Sequence, residues 1–168
     1  MAEACAATIR IGGILPCHLF PAFLTAVEAD RARLDYDGEW FSEATLPENE
    51  PLDLFAREAI GGRFANLETF CIAHKLPFIR WCEARTSDWD AERVAYSGEG
   101  EPLHFLATDG NEVAITASDI ERFGTIDALR EFLASATPDL PPFQIASLNG
   151  EPVRPVDLLN DMTELHIP

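Results

Sequence analysis

The residues best able to do chemistry come close together in the short run Cys71-Ile72-Ala73-His74. A thiol and an imidazole three positions apart are neighbours on the surface of a helix. Cys82 follows further along the chain, and Cys17-His18 lies near the N-terminus. Together these side chains could bind zinc, or Cys71 could act as a nucleophile with His74 as its base.

The same residues also fit an ordinary hydrophobic core. Phe64, Leu67, Cys71 and His74 fall on one helical stripe, and free cysteine is among the residue types most often buried. A standard zinc module needs two tight pairs of ligands, which this spacing does not supply. We therefore expect no metal site, and we keep a small enzyme or metal protein using Cys71, His74 and Cys82 as an alternative.

Other motifs that carry a known mechanism are missing from the sequence. The only lysine, Lys75, precedes a leucine and a proline and belongs to no phosphate loop. The pair Gly98 and Gly100 lies between two predicted strands, whereas a dinucleotide site needs a strand followed by a helix. His104 alternates with Phe105 on a predicted strand, which is typical of a half-exposed strand residue. The sequence thus predicts no cofactor and no catalytic residue, and it favours a non-enzymatic function.

Charge is the feature in which this chain departs most from an ordinary domain. It has 29 Asp and Glu against 12 Lys and Arg, for a net charge of −17. A net charge of about 2–8 in magnitude is enough to keep a small domain soluble. Nucleic acids and anionic membranes repel such a polyanion, so the sequence predicts no direct nucleic-acid binding and no membrane partner.

The acidic residues are concentrated in runs without basic residues. Seven lie between Arg33 and Arg57, and six more lie between Arg93 and Arg122. Aromatic residues interleave with the first run, and aromatic side chains are enriched at interface hot spots. The sequence predicts these partner-binding residues: Asp35, Tyr36, Asp37, Glu39, Trp40, Glu43, Glu48 and Glu50.

These observations predict an acidic protein-binding module whose partner has a basic surface. A domain of this length is about 40 Å across, and duplex DNA of that length carries roughly 24 phosphates, the same order as the net charge. A specific form of the hypothesis is therefore an inhibitor that mimics nucleic acid in a basic groove, as phage or plasmid proteins do against restriction or CRISPR enzymes. An accessory subunit of a larger assembly is a further alternative, and the oligomeric state is left open.

The N-terminus and the cysteines bear on the compartment. Glu3 precedes any positive charge, so the start does not resemble a secretory signal. The longest uncharged stretch, 11–27, is broken by glycines and prolines and is too short for a membrane span. We therefore expect a cytoplasmic, bacterial type of protein with reduced cysteines.

Periodicity and turn residues predict one domain, 1–168, of the α+β class. Alternation predicts strands at 8–11, 78–83, 92–96, 103–108, 112–116 and 143–148. Helical spacing predicts helices at 18–30, over 52–75 with an interruption at Gly61-Gly62, and after Thr125. Thr125 is expected to cap the last of these, whose inward residues would be Ile126, Leu129, Phe132 and Leu133. Turns are predicted at Asp37-Gly38, Asp109-Gly110 and Asn149-Gly150, the first of them as a type I′ hairpin. A capping box is predicted at 118–121, at the start of a short helix. The grouping favours a largely antiparallel sheet with helices on one face and a tail, 151–168, that is extended or frayed.

Overall fold

A five-stranded antiparallel sheet and a two-stranded parallel sheet organise the chain in its computed structural model, which describes residues 3–85, 88–147 and 150–153. The strands are β1 (Ala4–Ile11), β2 (Gly13–Pro16), β3 (Leu52–Ile60), β4 (Phe78–Cys82), β5 (Glu92–Tyr96), β6 (Leu103–Leu106) and β7 (Phe143–Ala146). The helices are α1 (Phe20–Ala29), α2 (Ala65–Ala73), α3 (Ala117–Phe123) and α4 (Ile126–Ser135). The larger sheet has the order β3-β1-β4-β5-β6, and β2 pairs with β7. The α+β class and the antiparallel sheet are confirmed.

The register of the large sheet decides which side chains share a face. Ile9 is paired with Arg80, and Arg80 with Val94, so these three side chains lie on the same face because directly opposed residues point the same way. Helices α1 and α2 complete the main core on that face. On the other face, Phe105 packs against Phe132 of α4, with ring centroids 4.9 Å apart.

The helix predicted over 52–60 is wrong, because this segment forms strand β3. Its buried residues Leu52, Leu54 and Ala56 occupy every second position, a spacing that the helical interpretation of the same apolar residues overlooked. Short apolar runs fit both periods, and the pairing of β3 with β1 decides between them. The helical prediction holds only after the two glycines, where α2 begins.

Two turn predictions need correction in their geometry. The first hairpin turn runs from Asp35 to Gly38, whose N–H donates to the Asp35 carbonyl at 3.1 Å. Gly38 is not among the residues with positive φ, which a type I′ turn requires at both central positions. In the second turn, the left-handed residue is Asn111, and the strand predicted after it is reduced to a single bridge between Ala107 and Val113.

The C-terminal helices differ from expectation in their caps and in their packing. Thr116, rather than Ser118, caps α3 and forms a capping box with Asp119. Thr125 caps α4 as predicted, accepting a hydrogen bond from the Ala128 N–H. Of the four residues of α4 expected to point inward, Leu129 and Phe132 are half-buried, whereas Ile126 and Leu133 are 68% and 37% exposed.

The last two findings concern the length of the helices and the state of the cysteines. Among the described residues, no helix combines the length and apolar character that crossing a membrane requires. The four cysteines are free thiols. Asn149 of the third predicted turn, and the tail beyond residue 153, lie outside the described residues.

Candidate functional site

The predicted partner-binding residues lie in one long connection between α1 and β3, here called the acidic loop (residues 35–50). Just before it, Arg33 extends the sheet edge by exchanging two backbone hydrogen bonds of 2.8 Å with Phe55 of β3. A bridge between Arg33 and Trp40 then closes the short hairpin at the start of the loop. The acidic loop is therefore anchored to an edge strand, and Phe41 in its middle is buried against Phe20 and Phe23 of α1.

Most acidic side chains of this loop face solvent without a cationic neighbour. Asp35, Asp37, Glu39, Glu48 and Glu50 are exposed, and Glu43 is half-buried in a 3₁₀ turn. Within the described ranges, Asp37 is the only one of the six that forms a salt bridge, with Arg57. The negative charge of the loop is thus largely available to a partner.

The loop has three aromatic residues, of which Phe41 is buried in the main core and the other two are used differently. Tyr36 packs its ring on Phe55, with centroids 5.2 Å apart, and is half-buried. Burial raises the pKa of Tyr36, and the charges of Glu83 and Asp35 raise it further. Trp40 is 48% exposed, and the Arg33 guanidinium carbon lies 4.4 Å from its ring centroid. Tyr36 therefore fixes the hairpin to the sheet, and Trp40 remains presented to solvent.

Sequence reasoning missed a pocket of about 510 Å³ where β4 ends and β5 begins, here called the sheet-end pocket. Its volume is within the usual range for ligand sites. It is lined by Gly61, Arg63, Cys82, Trp89, Asp90, Ala91, Glu92, His104, Phe105 and Leu106. These residues come from four separate stretches of chain, so no sequence motif marks the site.

A buried ion network lies directly behind this pocket. Arg80 is 1% exposed, and its Nε lies 3.2 Å from Glu68 Oε1 on α2. One terminal nitrogen, Nη2, donates to Glu92 Oε2 at 2.5 Å, and the other, Nη1, donates to Cys82 Sγ at 3.4 Å. Arg80 therefore connects α2 to the polar wall of the pocket along one face of the sheet.

The two carboxylates of the network have opposite pKa shifts. Burial raises the pKa of Glu68, and the nearby Arg80 offsets only part of that effect. Burial also acts to raise the pKa of Glu92, but hydrogen bonds from His104 and Arg80 outweigh it and hold the pKa below its usual value. Glu92 is therefore ionised at neutral pH.

His104 completes the pocket wall with a hydrogen bond from its Nδ1 to Glu92 Oε1 at 2.8 Å. Because an ionised Glu92 can only accept, the ring hydrogen of a neutral His104 lies on Nδ1 and leaves Nε2 as an acceptor. Cys82 is paired with Glu92, whereas His104 is paired with Val94, so the thiol and imidazole are not adjacent in the sheet. The polar wall of the pocket is therefore formed by Glu92 and His104.

The structure separates the residues first considered for metal or thiol chemistry. Cys71 is fully buried in the core, and burial raises the pKa of its thiol. His74 is exposed at the end of α2, with its ring centroid 4.4 Å from that of Phe70. Cys82 lines the sheet-end pocket instead, near Cys5, whose pKa rises to about 11 through burial and the neighbouring Cys82. In the described part of the chain, no group of three or more His, Cys, Asp or Glu side chains could hold a metal ion.

The fold and these two surfaces define a strongly acidic α+β protein with an exposed acidic loop and a separate polar pocket. Comparison with protein-family models, with curated proteins and with solved structures finds no match. The function proposed below is therefore argued from the chemistry of the loop and the pocket.

Proposed function

We propose that this chain is an acidic, non-enzymatic binding module that docks on a basic surface of another protein through its acidic loop. The observation that carries the proposal is the exposure of the loop carboxylates next to the half-exposed Trp40. Only one of the six is paired with an arginine within the described residues, so a partner would not have to displace internal ion pairs at the others.

Electrostatics gives this loop the properties of a docking surface. A net charge of −17 produces a long-range field that raises the encounter rate with a basic partner. Charges at the edge of a protein interface mainly set the orientation of the partner and the association rate. An aromatic side chain buried at the centre of the interface supplies affinity. Trp40 is the residue of the loop that is free to play the second role.

In its specific form, the proposal is that the module mimics nucleic acid and inhibits a cytoplasmic nucleic-acid-processing protein of the restriction or CRISPR type. The support is the charge, which is of the order of the phosphate charge on a duplex of similar length. Such a partner would bind the chain and nucleic acid in the same basic groove, so the two would compete.

The test compares two charge-reversal variants that change net charge equally. One variant carries Glu39→Lys, Glu43→Lys, Glu48→Lys and Glu50→Lys in the acidic loop. The matched control carries four substitutions of exposed acids in the second run: Glu99→Lys, Glu101→Lys, Glu112→Lys and Glu121→Lys. Each protein is used for affinity capture from bacterial lysate at low and high salt, with duplex DNA as competitor, followed by mass spectrometry.

The proposal predicts a partner that binds wild type and the control variant but not the loop variant. Loss of the partner on addition of salt or DNA would support the nucleic-acid mimic. A partner that the loop variant still captures would contradict the assignment of the loop. A partner that resists salt and DNA would point instead to an obligate, apolar subunit interface.

A further inference from the structure

We infer that the sheet-end pocket receives the guanidinium group of an arginine side chain. The inference rests on the proposed function, since a basic partner protein is the source of that side chain. It adds a second, specific contact to the diffuse attraction of the acidic loop. The pocket volume of about 510 Å³ leaves room for the whole side chain.

The polar groups that line the pocket call for a ligand rich in N–H donors. In its neutral form His104 offers Nε2 as an acceptor, because the hydrogen on its Nδ1 is directed at Glu92, 2.8 Å away. The exposed carboxylate of Asp90 and the remaining lone pairs of Glu92 are also acceptors. A guanidinium carries five N–H donors in one plane and no acceptor, which matches this set.

Trp89 gives the pocket an aromatic wall suited to a planar cation. Its indole N–H donates to the Glu83 carbonyl oxygen at 3.2 Å, and its ring packs against the main core. The ring is therefore held in place before any ligand arrives. Guanidinium groups stack on indole faces more favourably than ammonium groups do, which is why arginine rather than lysine fits this wall.

Two arginines of the protein itself lie at or near the pocket, but neither takes the place proposed for the ligand arginine. Arg80 lies behind the wall, where its nitrogens are directed at Glu68, Glu92 and Cys82. Arg63 lines the pocket and is exposed, and its charge acts on Glu68. A ligand cation meets the like charge of Arg63, so removing that charge should strengthen binding.

One residue, Glu83, interacts with both the acidic loop and the pocket. The charge of Glu83 raises the pKa of Tyr36 in the loop. The carbonyl of the same Glu83 holds the Trp89 indole at the pocket. An arginine in the pocket would therefore place the rest of a basic partner next to the loop.

The test is a titration of the whole protein with Nα-acetyl-L-arginine amide, followed by two-dimensional NMR. The indole N–H signals of the three tryptophans report separate locations, and Trp40 serves as an internal control for weak attraction to the acidic loop. We expect a saturable shift of the Trp89 signal with little change at Trp40. The lysine analogue should bind about tenfold more weakly, because it lacks the planar face.

Three pocket variants and one control variant sharpen the result. Asp90→Asn and Trp89→Leu should each raise the dissociation constant about tenfold, and thermal unfolding will show whether each variant is folded. Because Trp89→Leu lacks the reporter indole, its titration is followed by the backbone amide signals of the pocket residues. Because Asp90 is exposed, Asp90→Asn remains a valid test even if Trp89→Leu is unstable. Arg63→Gln should lower the dissociation constant about twofold, and Glu99→Gln, which does not line the pocket, should leave it unchanged.

A Trp89 signal that does not shift, or a dissociation constant that Asp90→Asn leaves unchanged, would overturn the inference. Such a failure is distinguishable from failure of the proposed function. If arginine does not bind but the acidic loop still captures a partner, the pocket assignment is wrong and the module remains. If arginine binds but no partner is captured, the arginine pocket stands without the docking function.

Discussion

Glu92 on β5 accepts a hydrogen bond from His104 on β6, with 2.8 Å between Oε1 and Nδ1. The two are not directly opposed, because Glu92 pairs with Leu106 and His104 pairs with Val94. They are diagonal neighbours on one face, a distance that long polar side chains can span. The same carboxylate also accepts from Arg80, so one residue connects a buried cation to the open pocket.

Replacing Arg80 with methionine should destabilise the protein strongly. Glu68 would remain mostly buried without its cationic partner, and breaking a buried pair in this way costs about 3–5 kcal/mol. The free energy of unfolding from urea denaturation measures the effect. The control is Arg57→Met, which breaks the exposed pair with Asp37 and should cost about 0–1 kcal/mol. Equal losses in the two variants would show that the buried network contributes nothing special.

Glu68→Gln and Glu92→Gln should change the acid stability of the protein in opposite directions. The pKa of Glu92 is below its unfolded value of 4.5, so its stabilising contribution is present above that value and is lost as the pH falls. The pKa of Glu68 is above 4.5, so its contribution is present at low pH and is lost as the pH rises through the folded pKa. Urea denaturation of wild type and both variants between pH 3 and 7 measures the two differences. Difference curves that slope the same way would contradict these assignments.

Alanine substitutions at the two adjacent glycines of the β3–α2 turn should have unequal costs. Both residues have positive φ, +61° at Gly61 and +67° at Gly62, so each alanine incurs a left-handed penalty of roughly 1–2 kcal/mol. A Cβ at Gly61 meets nothing within 4 Å, whereas one at Gly62 would lie 2.7 Å from Cys82 Sγ. Gly62→Ala should therefore show the larger loss of unfolding free energy. A Gly61→Ala variant as unstable as Gly62→Ala would mean that the close approach to Cys82 does not matter.

Local sequence was sufficient wherever the structure depends on neighbours along the chain. The alternation at 92–96 predicted β5 with its observed bounds, and the strand predicted at 78–83 begins at Phe78 as β4 does. Thr125 was identified as a helix cap because capping involves residues only a few positions apart. The exposed acids of the loop were also predictable, since unpaired charges are rarely buried.

Tertiary structure decided the features that depend on residues far apart in sequence. The segment 52–60 became a strand because it pairs with β1, and its short apolar run fits a helix equally well. Arg10 and Arg57 lie outside the first acidic run, yet they pair with Asp53 and Asp37 inside it. The long separations between these partners leave no periodic signal in the sequence.

The sheet-end pocket shows most clearly the difference between what local sequence predicts and what tertiary structure decides. The strands predicted at 78–83, 92–96 and 103–108 contain Arg80, Glu92 and His104, and the sequence predicted a half-exposed strand position for His104. Only the register of three antiparallel strands placed them on one face, with Arg80 buried and the other two at the pocket. Register is set by non-local pairing, and a shift of one residue would turn each side chain to the opposite face. The sequence alone therefore determined the acidic character of the protein. The sheet-end pocket, with the buried Arg80 beside it, exists only in the folded chain.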